Sequence, residues 1–239
     1  MSHSTNKVAI MQPYLFPYIG YWQLVNAVDM FISFDDVNYI KKGWINRNNI
    51  LINGEPHLLT LALNKASQNK KINDTFISED EQKKKDFLKT IEISYKKAPF
   101  FSEIFPLIED IILSPENNVA KFILNSIKEI NSYLQINTKI LVSSEIPKDV
   151  SLRGEQKILD ICTKVRATDY INPIGGVNLY SKETFRSRNI NLYFLQTDFS
   201  KIRYDQYNKN FVQSLSIIDV MMFNSIDEIK YFLESFILH

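Results

Sequence analysis

The 239-residue chain has one cysteine, three histidines, six glycines and almost no surplus of charge, and each shortage removes a class of chemistry. A lone Cys162 can form neither an internal disulfide nor a thiolate metal cluster. It falls in the apolar run Ile158, Leu159, Ile161, Cys162 and Val165, where a free thiol packs as a small hydrophobe. The histidines are His3, His57 and His239. Two lie at termini, where disorder is the expectation, so no clustered zinc ligands are available and no metal site is expected. With 28 basic against 27 acidic residues, nothing draws the chain to nucleic acid or to a membrane surface. No stretch approaches the ~20 apolar residues of a membrane span. The first seven residues lack the apolar centre of a secretory signal, so the cytoplasm is the expected compartment.

What is present describes one α/β domain over residues 1–239, since 45% hydrophobic residues suffice for a sizeable core. Val8-Ala9-Ile10-Met11 has no polar alternation, the pattern of a strand buried on both faces. Pro13 breaks it, Ile19 to Val25 follows as a helix, and Met30 to Phe34 is a second strand, which together make a βαβ unit. Residues 38–56 read as an ordered loop with short extended pieces, His57 to Leu63 as a strand, and 64–80 as an exposed polar segment. Helical spacing then dominates about 83–135, as an insertion packed on the sheet. Strands at 139–142, 169–172 and 190–195 alternate with helices at 155–164 and 182–188, and helices at 215–223 and 226–236 close the chain. This alternation predicts a mainly parallel, Rossmann-like sheet, the nucleotidylyl-transferase arrangement being one form it could take.

Open parallel sheets bind ligands beyond the carboxyl ends of their strands. Four segments rich in polar and aromatic residues fall there. The first holds Gln12, Tyr14, Tyr18, Gly20 and Tyr21, with a glycine at a helix start that lets backbone approach a ligand. Tyr18-Ile-Gly-Tyr21 stands where nucleotidylyl transferases carry His-x-Gly-His, although tyrosine brings no positive charge. In the second, Asp35 and Asp36 could orient an amine or hold a sugar hydroxyl, or simply serve the turn. Lys42 and Arg47 could neutralise a diphosphate, Tyr39 or Trp44 could stack on a ring, and Asn46 and Asn48 offer donors and acceptors. The third is Ser143-Ser144. No histidine follows it at nucleophile spacing, which argues against a hydrolase triad. The fourth is Gly175-Gly176 with Tyr180, a turn able to expose amides to an anion. His57 is the one histidine placed to act as a base, against the alternative of an edge residue packed by Pro56. Asp219, between Ile218 and Val220, reads as a buried structural acid.

The blocks Met11-Gln-Pro-Tyr-Leu-Phe-Pro-Tyr-Ile-Gly-Tyr21, Asp35-Asp36 and Gly43-Trp-Ile-Asn-Arg-Asn48 resemble the hallmark blocks of the WbqC-like family of bacterial surface-polysaccharide gene clusters. Ser143-Ser144, Gly175-Gly176 with Leu179-Tyr180, Phe185 and Leu215-Ser-Ile-Ile-Asp219 extend the resemblance along nearly the whole chain. It implies a place in O-antigen or capsule biosynthesis, beside enzymes of amino sugars. The partner it points to is a nucleotide-linked amino sugar, acylated on its amine, with glycyl transfer one form. The donor stays open between ATP with a free amino acid and a thioester. In this scheme Asp35 and Asp36 orient the amine while His57 or an aspartate takes the proton. The rival reading is a non-catalytic binding or scaffolding protein of the same machinery, and a homodimer is compatible with either.

Overall fold

The uninterrupted apolar run of β1 (Lys7–Met11) leaves no side of that strand suited to water, and both its faces are buried. The computed structural model describes residues 5–207 and 210–239, so His3 lies outside the described residues. Along the chain, α1 (Ile19–Asn26) and β2 (Met30–Ser33) follow β1. A long excursion comes next. It comprises the hairpin β3 (Arg47–Ile52) and β4 (Glu55–Thr60), the short pair β5 (Leu63–Asn64) and β6 (Phe76–Ile77), and helices α2 (Glu81–Tyr95), α3 (Phe101–Leu113) and α4 (Val119–Leu134). The chain re-enters with β7 (Lys139–Val142), α5 (Gly154–Lys164), β8 (Asp169–Pro173), α6 (Lys182–Arg186) and β9 (Asn191–Thr197). It ends with α7 (Ile217–Phe223), α8 (Ile226–Leu233) and β10 (Phe236–Leu238).

The main sheet has the order β10-β9-β8-β1-β2-β7. Every pairing is parallel except that of β10 with β9. Taken in chain order these strands run 3-2-1-4-5-6, the doubly wound Rossmann order, so the winding reverses between β1 and β8. Alternate side chains feed two cores. Ala9, Phe31, Ile171 and Leu195 join one with α1 to α4, α7 and α8. Val8, Ile10, Ile32, Tyr170 and Phe194 join the other with α5 and α6. Cys162 lies fully buried in this second core, where burial pushes its thiol up to about 12.

Several boundaries differ from the sequence expectation for identifiable reasons. The strand expected over 57–63 is β4, shifted to 55–60, and it pairs with β3 in a separate hairpin. Asn53 and Gly54, at φ 54° and 87°, supply its two-residue turn, the backbone that such hairpins need. Residues 64–80 are partly interior: Ile72, Thr75 and Ile77 are buried, and the Ile72 and Asn73 amides donate to the carbonyls of Val37 and Asp35. Helix α2 begins before its first apolar position, because Asp80 caps it through the Gln82 amide and its first turn is solvated. The last helix stops at Leu233, and the following residues form the antiparallel edge β10. His239 is held there, its backbone exchanging hydrogen bonds with Phe194 and its ring meeting Gln196 Oε1 at 2.8 Å.

Asp219 of α7 ties the excursion to the carboxyl-terminal helices. Its carboxylate accepts from Tyr95 Oη (2.9 Å), Tyr204 Oη (2.7 Å) and Gln206 Nε2 (2.7 Å). Tyr95 in turn accepts from the Leu51 amide of β3. Burial pushes the Asp219 carboxyl up to about 6, against the opposing effect of these three hydrogen bonds. An acid whose folded pKa is raised binds its proton more tightly in the folded state, so its contribution to stability declines as pH rises from about 4 to about 6. Across that window we expect the parent to lose roughly 3 kcal/mol relative to Asp219→Asn. Urea denaturation of both proteins at pH 4 and pH 7 measures this, and parallel pH dependence would contradict it.

Candidate functional site

The reversal between β1 and β8 opens a crevice at their carboxyl ends, where the turn into α1 and the Ile174–Leu179 turn leave the sheet. A cavity of about 520 Å³ occupies it. Gln12, Tyr14, Tyr18 and Tyr21 line one wall, and Asn172, Gly175, Gly176 and Tyr180 line the other. Ile40 and Trp44 close over the top, both about half exposed at 50% and 44%. A second cavity of about 490 Å³ adjoins it toward β2, and Phe34, Ile158, Leu179 and Tyr180 belong to both walls. The second is charged: Asp36, Lys71, Arg153, Glu155 and Lys157 surround it.

The aromatic wall is built by local sequence. Pro13 and Pro17 keep the turn after β1 out of helix, and Trp22 Nε1 donates to the Pro17 carbonyl. Tyr21 is fully buried, donates to the Gln12 carbonyl, and packs against Tyr14 and Phe31. Burial raises the hydroxyl pKa of Tyr14 and of Tyr18, so both remain hydrogen-bond donors at neutral pH. Gln12 Oε1 is buried and accepts no hydrogen bond, an acceptor that a ligand's donor would satisfy. Gly20 has a different reason from the one expected. A Cβ there would lie 2.5 Å from the Tyr18 ring and 2.6 Å from Thr197 Oγ1, so helix packing on β9 excludes a side chain. A Cβ on Gly176 would lie 2.0 Å from Asn172 Nδ2, whereas Gly175 faces open space.

Asp35 and Asp36 are held by the segment after β7. Asp35 is buried and accepts from the Ser144 amide (2.9 Å), Ser144 Oγ (2.6 Å) and Asn73 Nδ2 (3.1 Å). Asp36 accepts from Ser143 Oγ (2.7 Å) and from two lysines, Lys157 (3.0 Å) and Lys148 (3.1 Å). All three charged side chains are buried, at 9%, 10% and 3% exposure. Burial alone would raise the Asp36 carboxyl, but the hydrogen bonds from Ser143, Lys157 and Lys148 and the charge of Lys157 hold it below the ordinary aspartate value. Lys148 also donates to the Ser143 carbonyl, and the Lys157 ammonium lies 5.0 Å from the Phe34 ring centre. Ser143-Ser144 thus lock the two acids in place from behind the cavities.

Other expected site residues serve the loop itself. Arg47 donates to the carbonyls of Gly43 and Lys42, closing the turn on which Lys42 sits exposed at φ 61°. Tyr39 donates to Asn46 (2.8 Å), and Asn46 to the Leu61 carbonyl. Asn48 donates to the carbonyls of Leu15 and Phe16, pinning the turn that carries Tyr14 and Tyr18. His57 stands exposed on β4 opposite Ile50 and lines neither cavity. Lys71, Arg153, Glu155 and Lys157 escaped the sequence reading. One signal was there: Arg153 to Lys157 lie at the start of the helix after β7, at the carboxyl edge of the sheet, as Pro13 to Tyr18 do after β1.

Fold and crevice together define an open α/β protein with a crevice at the point where a doubly wound sheet reverses. The chain belongs to the WbqC-like protein family, whose profile matches residues 12–231. Uncharacterized protein Rv1507c of Mycobacterium tuberculosis (strain ATCC 25618 / H37Rv) is 27% identical over 217 residues, which cover 90% of this chain and 92% of that protein. No solved structure gives a match. No helix among the described residues is long and apolar enough to cross a membrane.

Removing one member of a buried charge cluster leaves the others uncompensated. Asp36→Asn keeps the hydrogen-bonding shape but strands Lys148 and Lys157 beside each other. We expect it to destabilise the fold by about 3 kcal/mol, the low end for a broken buried ion pair because the cavity admits water. Chemical denaturation at pH 7 reads this directly; an unchanged midpoint would show that the lysines do not need the carboxylate.

Proposed function

We propose that this protein binds a nucleotide-linked amino sugar in the crevice and transfers an acyl group, such as a glycyl group, to the sugar amine. The observation that carries the reading is the union of an aromatic cavity and a charged one at the reversal of the sheet. Trp44, Tyr14 and Tyr18 offer stacking faces and hydroxyl donors to a base or sugar ring, and cations stand next door for phosphate. Membership of the WbqC-like family fits the same setting.

Acylation requires the neutral amine to attack the acyl carbonyl carbon. The C–N bond forms as the bond to the leaving group breaks, and the amine's surplus proton must go to a base. His57 is exposed outside the cavities, and Asp36 is engaged by two lysines. Glu155 takes over this role. It faces the charged cavity, where its Oε1 is fixed by the Ser181 amide at 2.6 Å, so a carboxylate is held in place to orient an ammonium and accept its proton. With ATP and an amino acid, the amino-acid carboxylate first displaces pyrophosphate from the α-phosphate to give an aminoacyl adenylate, from which the sugar amine then releases AMP; with an acyl thioester the leaving group is a thiolate.

A second reading, a non-catalytic sugar-nucleotide-binding protein, is favoured by one observation: no histidine lines either cavity among the described residues. Mass spectrometry after incubation with amino-sugar nucleotides and each donor separates the two. An acylated sugar nucleotide supports the transferase, and binding without product under every donor supports the second reading. Trp44 is half exposed, so Trp44→Ala should leave the melting temperature unchanged. It should weaken sugar-nucleotide binding by roughly ten-fold through loss of a stacking face. Unchanged affinity in calorimetry would take Trp44 out of the site.

A further inference from the structure

The charges around the second cavity do not balance. Asp36 and Glu155 face it with Lys71, Arg153 and Lys157, and Lys148 adds a fourth cation through its contact with Asp36. Along the lining itself three cations stand against two carboxylates, although the whole sequence carries a net charge of only +1. Part of this surplus is buried. Asp36 Oδ2 meets both lysines, so a single negative charge serves two ammonium groups whose side chains are 3% and 10% exposed. Buried cations in that ratio favour an anionic partner from outside the chain. The neighbouring carboxylate, Asp35, lines neither cavity and makes its hydrogen bonds to the neutral groups of Ser144 and Asn73, not to either lysine.

We infer that this second cavity is a diphosphate site, in which Lys157 at the floor and Arg153 and Lys71 at the rim bind the phosphates of the ligand whose ring occupies the aromatic cavity. The inference rests on the nucleotide-sugar reading of the crevice, and it moves the phosphate contacts from Lys42 and Arg47 to residues after β7 and before β6. The arrangement suits phosphate in two ways. Lys157 is held in place by Asp36 and by the Phe34 ring face, so its charge is oriented before a ligand arrives. Arg153 commits Nη1 to the carbonyls of Val150 and Leu152, and a guanidinium has five N–H donors in all. The cavity, about 490 Å³, has room for the group and shares the side chains of Phe34, Ile158, Leu179 and Tyr180 with the aromatic cavity beside it.

Calorimetry at low salt with inorganic pyrophosphate, uridine diphosphate, uridine and an amino-sugar nucleotide tests this on the parent and on Lys71→Ala/Arg153→Ala. Both substituted side chains are exposed, so the fold is retained, and an unchanged melting temperature verifies it. The expected result is that the double variant binds pyrophosphate, the diphosphate and the sugar nucleotide at least roughly ten-fold more weakly for each lost charged contact, with uridine unaffected. Sugar-nucleotide binding that is equally tight in parent and variant would overturn the phosphate assignment while leaving the nucleotide-sugar reading in place. Pyrophosphate binding that the variant weakens, with no sugar nucleotide bound, would support the anion site and remove the nucleotide-sugar reading. A parent that binds neither pyrophosphate nor any diphosphate refutes the inference.

Discussion

A parallel sheet must be covered on both faces, and here one chain covers both by starting in the middle. Strand β1 is buried on each side and pairs in parallel with β2 on one flank and β8 on the other. The chain therefore winds outward to β7, returns across β1, and winds outward again to β10. At the return, α1 passes to one core and α5 to the other, and a cavity lies at the carboxyl ends of β1 and β8. The crevice follows from that reversal. The loops around it are then free to differ in chemistry because the two cores hold the strands beneath them.

The walls of the crevice are made rigid by polar contacts that point away from a ligand. Asn48 and Ser216 bind the carbonyls of Leu15 and Phe16, fixing the turn from which Tyr14 and Tyr18 project. Arg47 and Asn46 do the same for the loop that carries Trp44. On the other side Ser143 and Ser144 hold Asp36 and Asp35, and Asp36 holds two lysines. Groups fixed before binding lose little freedom on binding, so a polar ligand can be held through a few contacts.

The mainly parallel sheet was legible from the amino-acid order because buried strands such as Val8 to Met11 and Met30 to Ile32 carry continuous apolar runs. The rule about strand ends pointed to Gln12, Asp35, Ser144 and Gly175, of which Gln12 and Gly175 line one cavity while Asp35 and Ser144 line neither. The division of labour inside the loops was not legible. Arg47 and Lys157 are both cations near the carboxyl edge, yet only the folded backbone shows that Arg47 faces the carbonyls of Lys42 and Gly43 while Lys157 lines a cavity. Gly20 had a plausible ligand-facing role until the neighbouring Tyr18 ring and Thr197 accounted for it. The edge strand β10 was hidden because Phe232, Leu233, Phe236, Ile237 and Leu238 suit helical and strand spacing alike. Hydrophobic periodicity locates cores well, whereas the target of a side-chain hydrogen bond depends on segments distant in sequence.

The central claim is that one ligand spans the two cavities at the reversal of the sheet. A crystal structure of the protein with an amino-sugar nucleotide tests it most directly. The expected density places the ring system against Trp44, Tyr14 and Tyr18, a donor on Gln12 Oε1, and the diphosphate within hydrogen-bonding distance of Lys157 and Arg153. Ordered ligand elsewhere on the surface, with both cavities holding only water, would contradict the claim.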